Sequence, residues 1–237
     1  MNERISIDTP DGSFSAYVAL PAATPAPSIV VLQEIFGINA DLRETCERLA
    51  AQGYIAVCPD LFWRLEPHVE LTDKTDAEWK KAMALYKAFN VDKGVDDIAA
   101  TLAAARALPG ATGKAGVMGF CMGGLLTFLT ATRARPDCAV AYYGGGTEKH
   151  IDAFKSLACP LMMHLGEADE YISAGARASI VKAAEGNPLV QMFTYPGQNH
   201  AFARWNGVHF DAQAATQAND RTRVFFAQHL KQATRTA

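Results

Sequence analysis

No part of this chain runs apolar for the roughly 20 residues that a membrane-spanning helix needs. The N-terminus, "MNERISIDTPDG", carries charge where a secretory signal would need an apolar core. A soluble cytoplasmic protein is expected. Charge of one sign is also scarce: the formal net charge is -3 and Lys and Arg are scattered, so no basic field exists to hold nucleic acid. Among the five cysteines there is no C-x-x-C pair and no regular framework, which argues against a disulfide scaffold or a zinc site and for free thiols. Repeats, low-complexity tracts and long linkers are missing as well. With 237 residues, 49% of them hydrophobic, the chain is expected to form a single domain over residues 1–237.

What is present has an α/β rhythm. "RISID" and "FSAYVALP" alternate in polarity around Asp11-Gly12 and read as a hairpin of outer strands. Six short apolar runs follow, at 28–34, 54–59, 114–120, 138–144, 160–166 and 190–196. Such runs suit strands buried on both faces. Helical periodicity covers 40–52, 76–89, 91–108, 122–134, 173–185 and 211–231. The alternation predicts a mostly parallel sheet of about eight strands with helices on both faces, and places ligands beyond the carboxyl ends of the strands. "PAATPAPS" (21–28) reads as an extended edge loop, and the aperiodic 60–75 as an excursion, either a lid or a plain surface loop.

Gly119-Phe120-Cys121-Met122-Gly123 lies between an apolar run and a helical pattern. Serine hydrolases place G-x-S-x-G in this setting, because a sharp turn with small neighbours holds the nucleophile at the strand's end. Cysteine can fill the same elbow, where the helix dipole favours the thiolate. The other cysteines, Cys46, Cys58, Cys138 and Cys159, read as buried packing residues. Partners are expected in the order acid, then histidine. Asp169 and His200 each follow a strand; Glu167 and Glu170 compete with Asp169 but have more side-chain freedom. His68, His150, His164, His209 and His229 lack the Gly-Gln-Asn loop setting of His200 and read as structural or solvated.

With these residues quoted, the chain resembles the dienelactone hydrolase (carboxymethylenebutenolidase) family, a cysteine-using branch of the α/β-hydrolase fold. The resemblance is carried by "QEIFGINADLRETCERLAAQGYIAVCPDLF" (33–62), "GVMGFCMGGLLTFL" (116–129), "AVAYYGGG" (139–146) and "NHAFAR" (199–204). It implies a Cys121, Asp169 and His200 triad and an acyl-cysteine intermediate formed from an activated enol-lactone, with a place in the breakdown of aromatic compounds. It also implies a gate: Glu34 contacts the resting thiol and turns toward Arg204 when substrate binds. Backbone N–H groups of Ile35 and Met122 would form the oxyanion hole. Neither a metal nor an organic cofactor is implied, and the family suggests a monomer.

One position departs from the family. A second substrate-binding arginine would fall on Trp79, counted back from "YKAF" (86–89), and Lys80 follows one residue on. A one-residue step turns a helical side chain by about 100°, so Lys80 would have to reach round. Trp79 could instead supply an aromatic wall, which predicts a weaker demand for a substrate carboxylate. The rival functions are a broader carboxylesterase or thioesterase using the same residues, and a non-enzymatic binding or thiol-sensing protein.

Overall fold

The computed structural model describes residues 2–231. Strands β1 (Asn2–Thr9), β2 (Gly12–Ala19), β3 (Ala26–Leu32), β4 (Ile55–Pro59), β5 (Ala111–Phe120), β6 (Ala139–Tyr142), β7 (Leu161–Gly166) and β8 (Val190–Tyr195) form one sheet in the order β1-β2-β4-β3-β5-β6-β7-β8. From β4 onward through that order the pairings are parallel, while β1 with β2 and β2 with β4 are antiparallel. In the hairpin Gly12 faces Thr9 and sits at φ +133°, which a side chain would resist; it opens β2 instead of lying in the turn.

Continuous apolar runs became continuously buried strands, as in β3, β4, β6 and β7, where every residue is buried. The proposed edge loop at 21–28 needs correction. Its last three residues belong to β3, in the middle of the sheet, because Ser28 hides its hydroxyl by donating to the Ala105 carbonyl.

Helices α1 (Ala40–Ala51), α2 (Asp76–Ala88), α3 (Val91–Ala107), α4 (Met122–Arg133), α5 (Ala174–Ala184) and α6 (Ala212–Phe226) match the periodic segments, but α6 gives way to a π-helical turn at Ala227–Lys231. Asn39, Thr75, Asn90, Ser173 and Asp211 each accept a hydrogen bond from the N–H three residues on, capping α1, α2, α3, α5 and α6. Such caps are worth about 1 kcal/mol each. Helix α4 starts without one: its cap position is Cys121, whose side chain makes no capping bond.

Among the described residues no helix is long and apolar enough to cross a membrane. The excursion at 60–75 is well anchored. Leu71 N donates to the Phe36 carbonyl, Asn39 Nδ2 to the Leu71 carbonyl, and Glu70 bridges Gly37. Gly37 is required there, since a Cβ would lie 1.9 Å from the Val69 carbonyl oxygen.

Candidate active site

The chain leaves β3 to one side for β4 and returns to its other side as β5, so the strand order reverses around β3. Crevices at such a reversal are where open α/β sheets bind ligands. Leu32 and Gly119 pair at the ends of β3 and β5, which brings the segment beginning Gln33-Glu34 beside the turn at Cys121.

That turn is strained. Cys121 has φ 55° and ψ -116°, a conformation that costs an L-residue of order 1–3 kcal/mol and survives only where its surroundings enforce it. The flanking glycines show how. A Cβ on Gly119 would lie 2.3 Å from the Gly123 carbonyl oxygen, and one on Gly123 would lie 2.6 Å from that of Leu32. Side chains at either place would push α4 off the sheet. Met122 opens α4, so its N–H has no acceptor within the helix.

Strands β7 and β8 pair through Gly166 and Tyr195, and the loops beyond them carry Asp169 and His200. Glu167 N donates to the Tyr195 carbonyl and Ala168 N to that of Gln198, which ties the two loops together. Asn199 adds a staple that sequence reasoning missed. Its Oδ1 accepts from the N–H groups of both His200 (2.6 Å) and Glu170 (3.0 Å).

Asp169 Oδ2 lies 2.8 Å from His200 Nδ1, while its Oδ1 accepts from the N–H groups of Tyr171 (2.8 Å) and Ile172 (3.0 Å). The competing carboxylates are engaged elsewhere: Glu167 accepts from the Thr194 hydroxyl, and Glu170 is half-exposed near His209. Burial alone would lower the His200 pKa. The charge on Cys121 and the hydrogen bond that the imidazole donates to Asp169 outweigh it and push the imidazole up to about 10. His200 Nε2 has no partner among the described residues other than the Cys121 side chain, which acts on the imidazole both as a charge and as a hydrogen-bonding group.

Burial raises the pKa values of Tyr86, Tyr143 and Tyr171, and the charge on Cys121 adds to the rise at each. Tyr143 and Tyr171 each meet the His200 ring in a T-shaped contact, at 5.1 and 4.9 Å. Sequence reasoning did not select them. Only the AYYG run hinted at Tyr143, whose φ of 38° lies just past β6.

Glu34 and Arg204 meet directly. Arg204 Nη1 donates to Glu34 Oε2 at 2.7 Å and Nη2 donates to Asp73 Oδ2, with the guanidinium 5.1 Å above the Phe36 ring. Glu34 thus takes the arginine-facing position, and its buried Oε1 has no partner among the described residues. Trp79 is half-buried with its ring 5.7 Å from that of Phe36, the ring over which the Arg204 guanidinium sits, whereas Lys80 is exposed. A cavity of about 230 Å³ lies behind Glu34 and Arg204, lined also by Tyr143 and Trp205.

The other histidines lie apart from this cluster or support it. His164 is fully buried, bonded to Tyr195 and Thr222, and burial drops its pKa to about 3. His209 sits 3.2 Å from the His200 carbonyl oxygen and braces that loop. His68 donates its backbone N–H to Asp60.

Comparison with known proteins adds an independent line. The model of the dienelactone hydrolase family matches residues 14–230. The chain belongs to the dienelactone hydrolase family. It is 41% identical over 228 residues to a carboxymethylenebutenolidase of Pseudomonas putida, covering 96% of this chain and 97% of that one. Carboxymethylenebutenolidase 1 of Cupriavidus pinatubonensis is 40% identical over 211 residues, covering 89% and 90%. A solved structure from Klebsiella pneumoniae, provisionally named a dienelactone hydrolase, superposes with a TM-score of 0.85 at 26% identity, over 96% of this chain and 98% of that one. In this family setting the α/β-hydrolase fold and the mostly parallel eight-stranded sheet agree with the reading of the sequence.

Proposed function

We propose that the protein opens activated enol-lactones through an acyl-cysteine intermediate, with Cys121 as nucleophile, His200 as proton carrier and Asp169 as its orienting partner. Membership of the dienelactone hydrolase family makes it a carboxylic ester hydrolase. The observation that carries the finer reading is the strained Cys121 backbone at the foot of α4, facing a histidine whose far nitrogen is bound to a buried aspartate.

The steps follow from that geometry. The thiolate, paired with the His200 imidazolium, attacks the lactone carbonyl carbon. Negative charge moves to the carbonyl oxygen, where the N–H groups of Met122 and Ile35 would meet it. The ring C–O bond then breaks, leaving a thioester on Cys121 and an enolate oxygen that takes the proton from His200. Neutral His200 next accepts a proton from water as that water attacks the thioester. The acid leaves and the thiolate–imidazolium pair is restored.

Sulfur fits this substrate class. A thiolate is a better leaving group than an alkoxide, so the tetrahedral adduct of a simple alkyl ester expels sulfur and reverts, whereas an enolate leaves readily. Glu34 then acts as the gate, with its free oxygen able to meet the thiol when the arginine contact is released. Arg204 and Trp79 line the substrate pocket.

The test is a substrate panel of enol-lactones, aryl esters and ethyl esters run on wild type and Cys121→Ala. Activated substrates should turn over and ethyl esters should be slower by at least about 100-fold. Cys121→Ala should lower kcat by roughly 10³-fold or more. Ready hydrolysis of ethyl esters would favour a general carboxylesterase, and undiminished turnover by Cys121→Ala would overturn the assignment.

A further inference from the structure

Arg204 is bracketed by two carboxylates, and only one of them belongs to the gate. Glu34 accepts from Nη1 and Asp73 from Nη2, so each terminal nitrogen of the guanidinium already holds a carboxylate, while the buried Nε has no partner among the described residues. All three side chains are largely shielded, at 12% exposure for Arg204, 10% for Glu34 and 9% for Asp73. Two carboxylates against one guanidinium leave this corner of the pocket with no positive charge to spare.

Asp73 is not there by chance of a mobile loop. The strand-like contact of Glu70 with Gly37 and the Leu71 to Phe36 hydrogen bond fix the chain just before it. Thr72 is fixed in turn, its N–H and hydroxyl both donating to the Glu78 carboxylate at 3.0 and 2.9 Å. Glu78 is held by the α2 cap at Thr75, whose hydroxyl also donates to it. The Asp73 carboxylate is therefore delivered to Arg204 from a preorganised position. Trp79, in the first turn of α2, sets an uncharged ring against Phe36 at a tilt of 45°, next to the ring that Arg204 covers.

We infer that Asp73 is a specificity-determining residue: an internal carboxylate that fills the anion-binding edge of Arg204 and biases the pocket toward uncharged lactones and esters over carboxylated ones. A substrate carboxylate that approaches Arg204 meets two carboxylates already on its terminal nitrogens, and displacing Asp73 would strand a largely buried carboxylate without its cation. A neutral substrate meets no such competition. The inference deepens the proposed function and rests on Arg204 lining the substrate pocket.

The decisive experiment replaces the charge and keeps the shape. For Asp73→Asn, kcat/KM for a carboxylated enol-lactone should rise at least tenfold relative to that for its methyl ester, mainly through a lower KM for the acid. Asp73→Ser serves as the second variant, and thermal unfolding confirms that each is folded. Direct binding separates this idea from the catalytic one. Cyclopentylacetate, a carbocyclic anion with no bond to cleave, should bind Asp73→Asn at least tenfold tighter than wild type in calorimetry, while its methyl ester binds both alike. An unchanged acid-to-ester ratio with unchanged cyclopentylacetate affinity would overturn the role of Asp73. Tighter anion binding without turnover of any lactone would sustain it and count against the proposed reaction instead.

Discussion

Burial separates the five cysteines by what each sulfur can do. Cys58 and Cys138 are pushed well above the ordinary thiol range by burial, and Cys159 up to about 12, so all three stay protonated and inert. Cys121 alone among the five is partly exposed. Its partner His200 shows the corresponding effect from the other side, because an adjacent negative charge and Asp169 hold its proton to about pH 10. The sign follows directly. Below that pH His200 is an imidazolium and, in the proposed reaction, would protonate the departing enolate; above it the proton is lost. We predict that kcat/KM falls by about tenfold per pH unit above pH 10, measured with a substrate stable to alkali. An alkaline limb that began near 6.5, the value of an unperturbed imidazole, would show that His200 lacks the charged partner assigned to it.

At the scale of the element, the β5–turn–α4 unit concentrates the cost of the site. Gly123→Ala would drive a Cβ into the Leu32 and Gln33 carbonyl oxygens, at 2.6 and 2.7 Å, both backbone atoms that cannot swing away. We expect a loss of at least about 3 kcal/mol in chemical denaturation, or no folded protein at all. Gly175, near the start of α5, is the matched control: a Cβ there meets nothing within 4 Å. Gly175→Ala should be neutral or stabilising by up to about 1 kcal/mol. Equal stability of the two variants would mean that the glycine frame does not set the Cys121 conformation.

Across the whole molecule, the strands and helices were legible because a sheet buried on both faces writes itself as uninterrupted apolar runs, as β3 and β7 do. The Cys121, Asp169 and His200 positions were legible for a related reason: each follows a strand end, so chain order predicts neighbourhood. What was not legible depends on contacts with no local pattern. Asp73 lies in an aperiodic excursion, and its meeting with Arg204 spans 131 residues of sequence. Asn199 and the tyrosines against His200 acquire their positions only when the β6, β7 and β8 loops converge. The assignment of "PAATPAPS" to an edge failed because proline and alanine signal a loop, while burial against α3 recruits Ala26–Ser28 into the central sheet.

The central claim is that these distant segments assemble one nucleophile, and rapid acid quenching during turnover of an aryl ester or enol-lactone tests it most directly. Peptide mass mapping should find the acyl group on the peptide that contains Cys121, formed in an initial burst, and Cys121→Ala should show no adduct, with kcat lowered by roughly 10³-fold or more. Undiminished turnover by Cys121→Ala, or an acyl group carried on any other residue, would contradict the account.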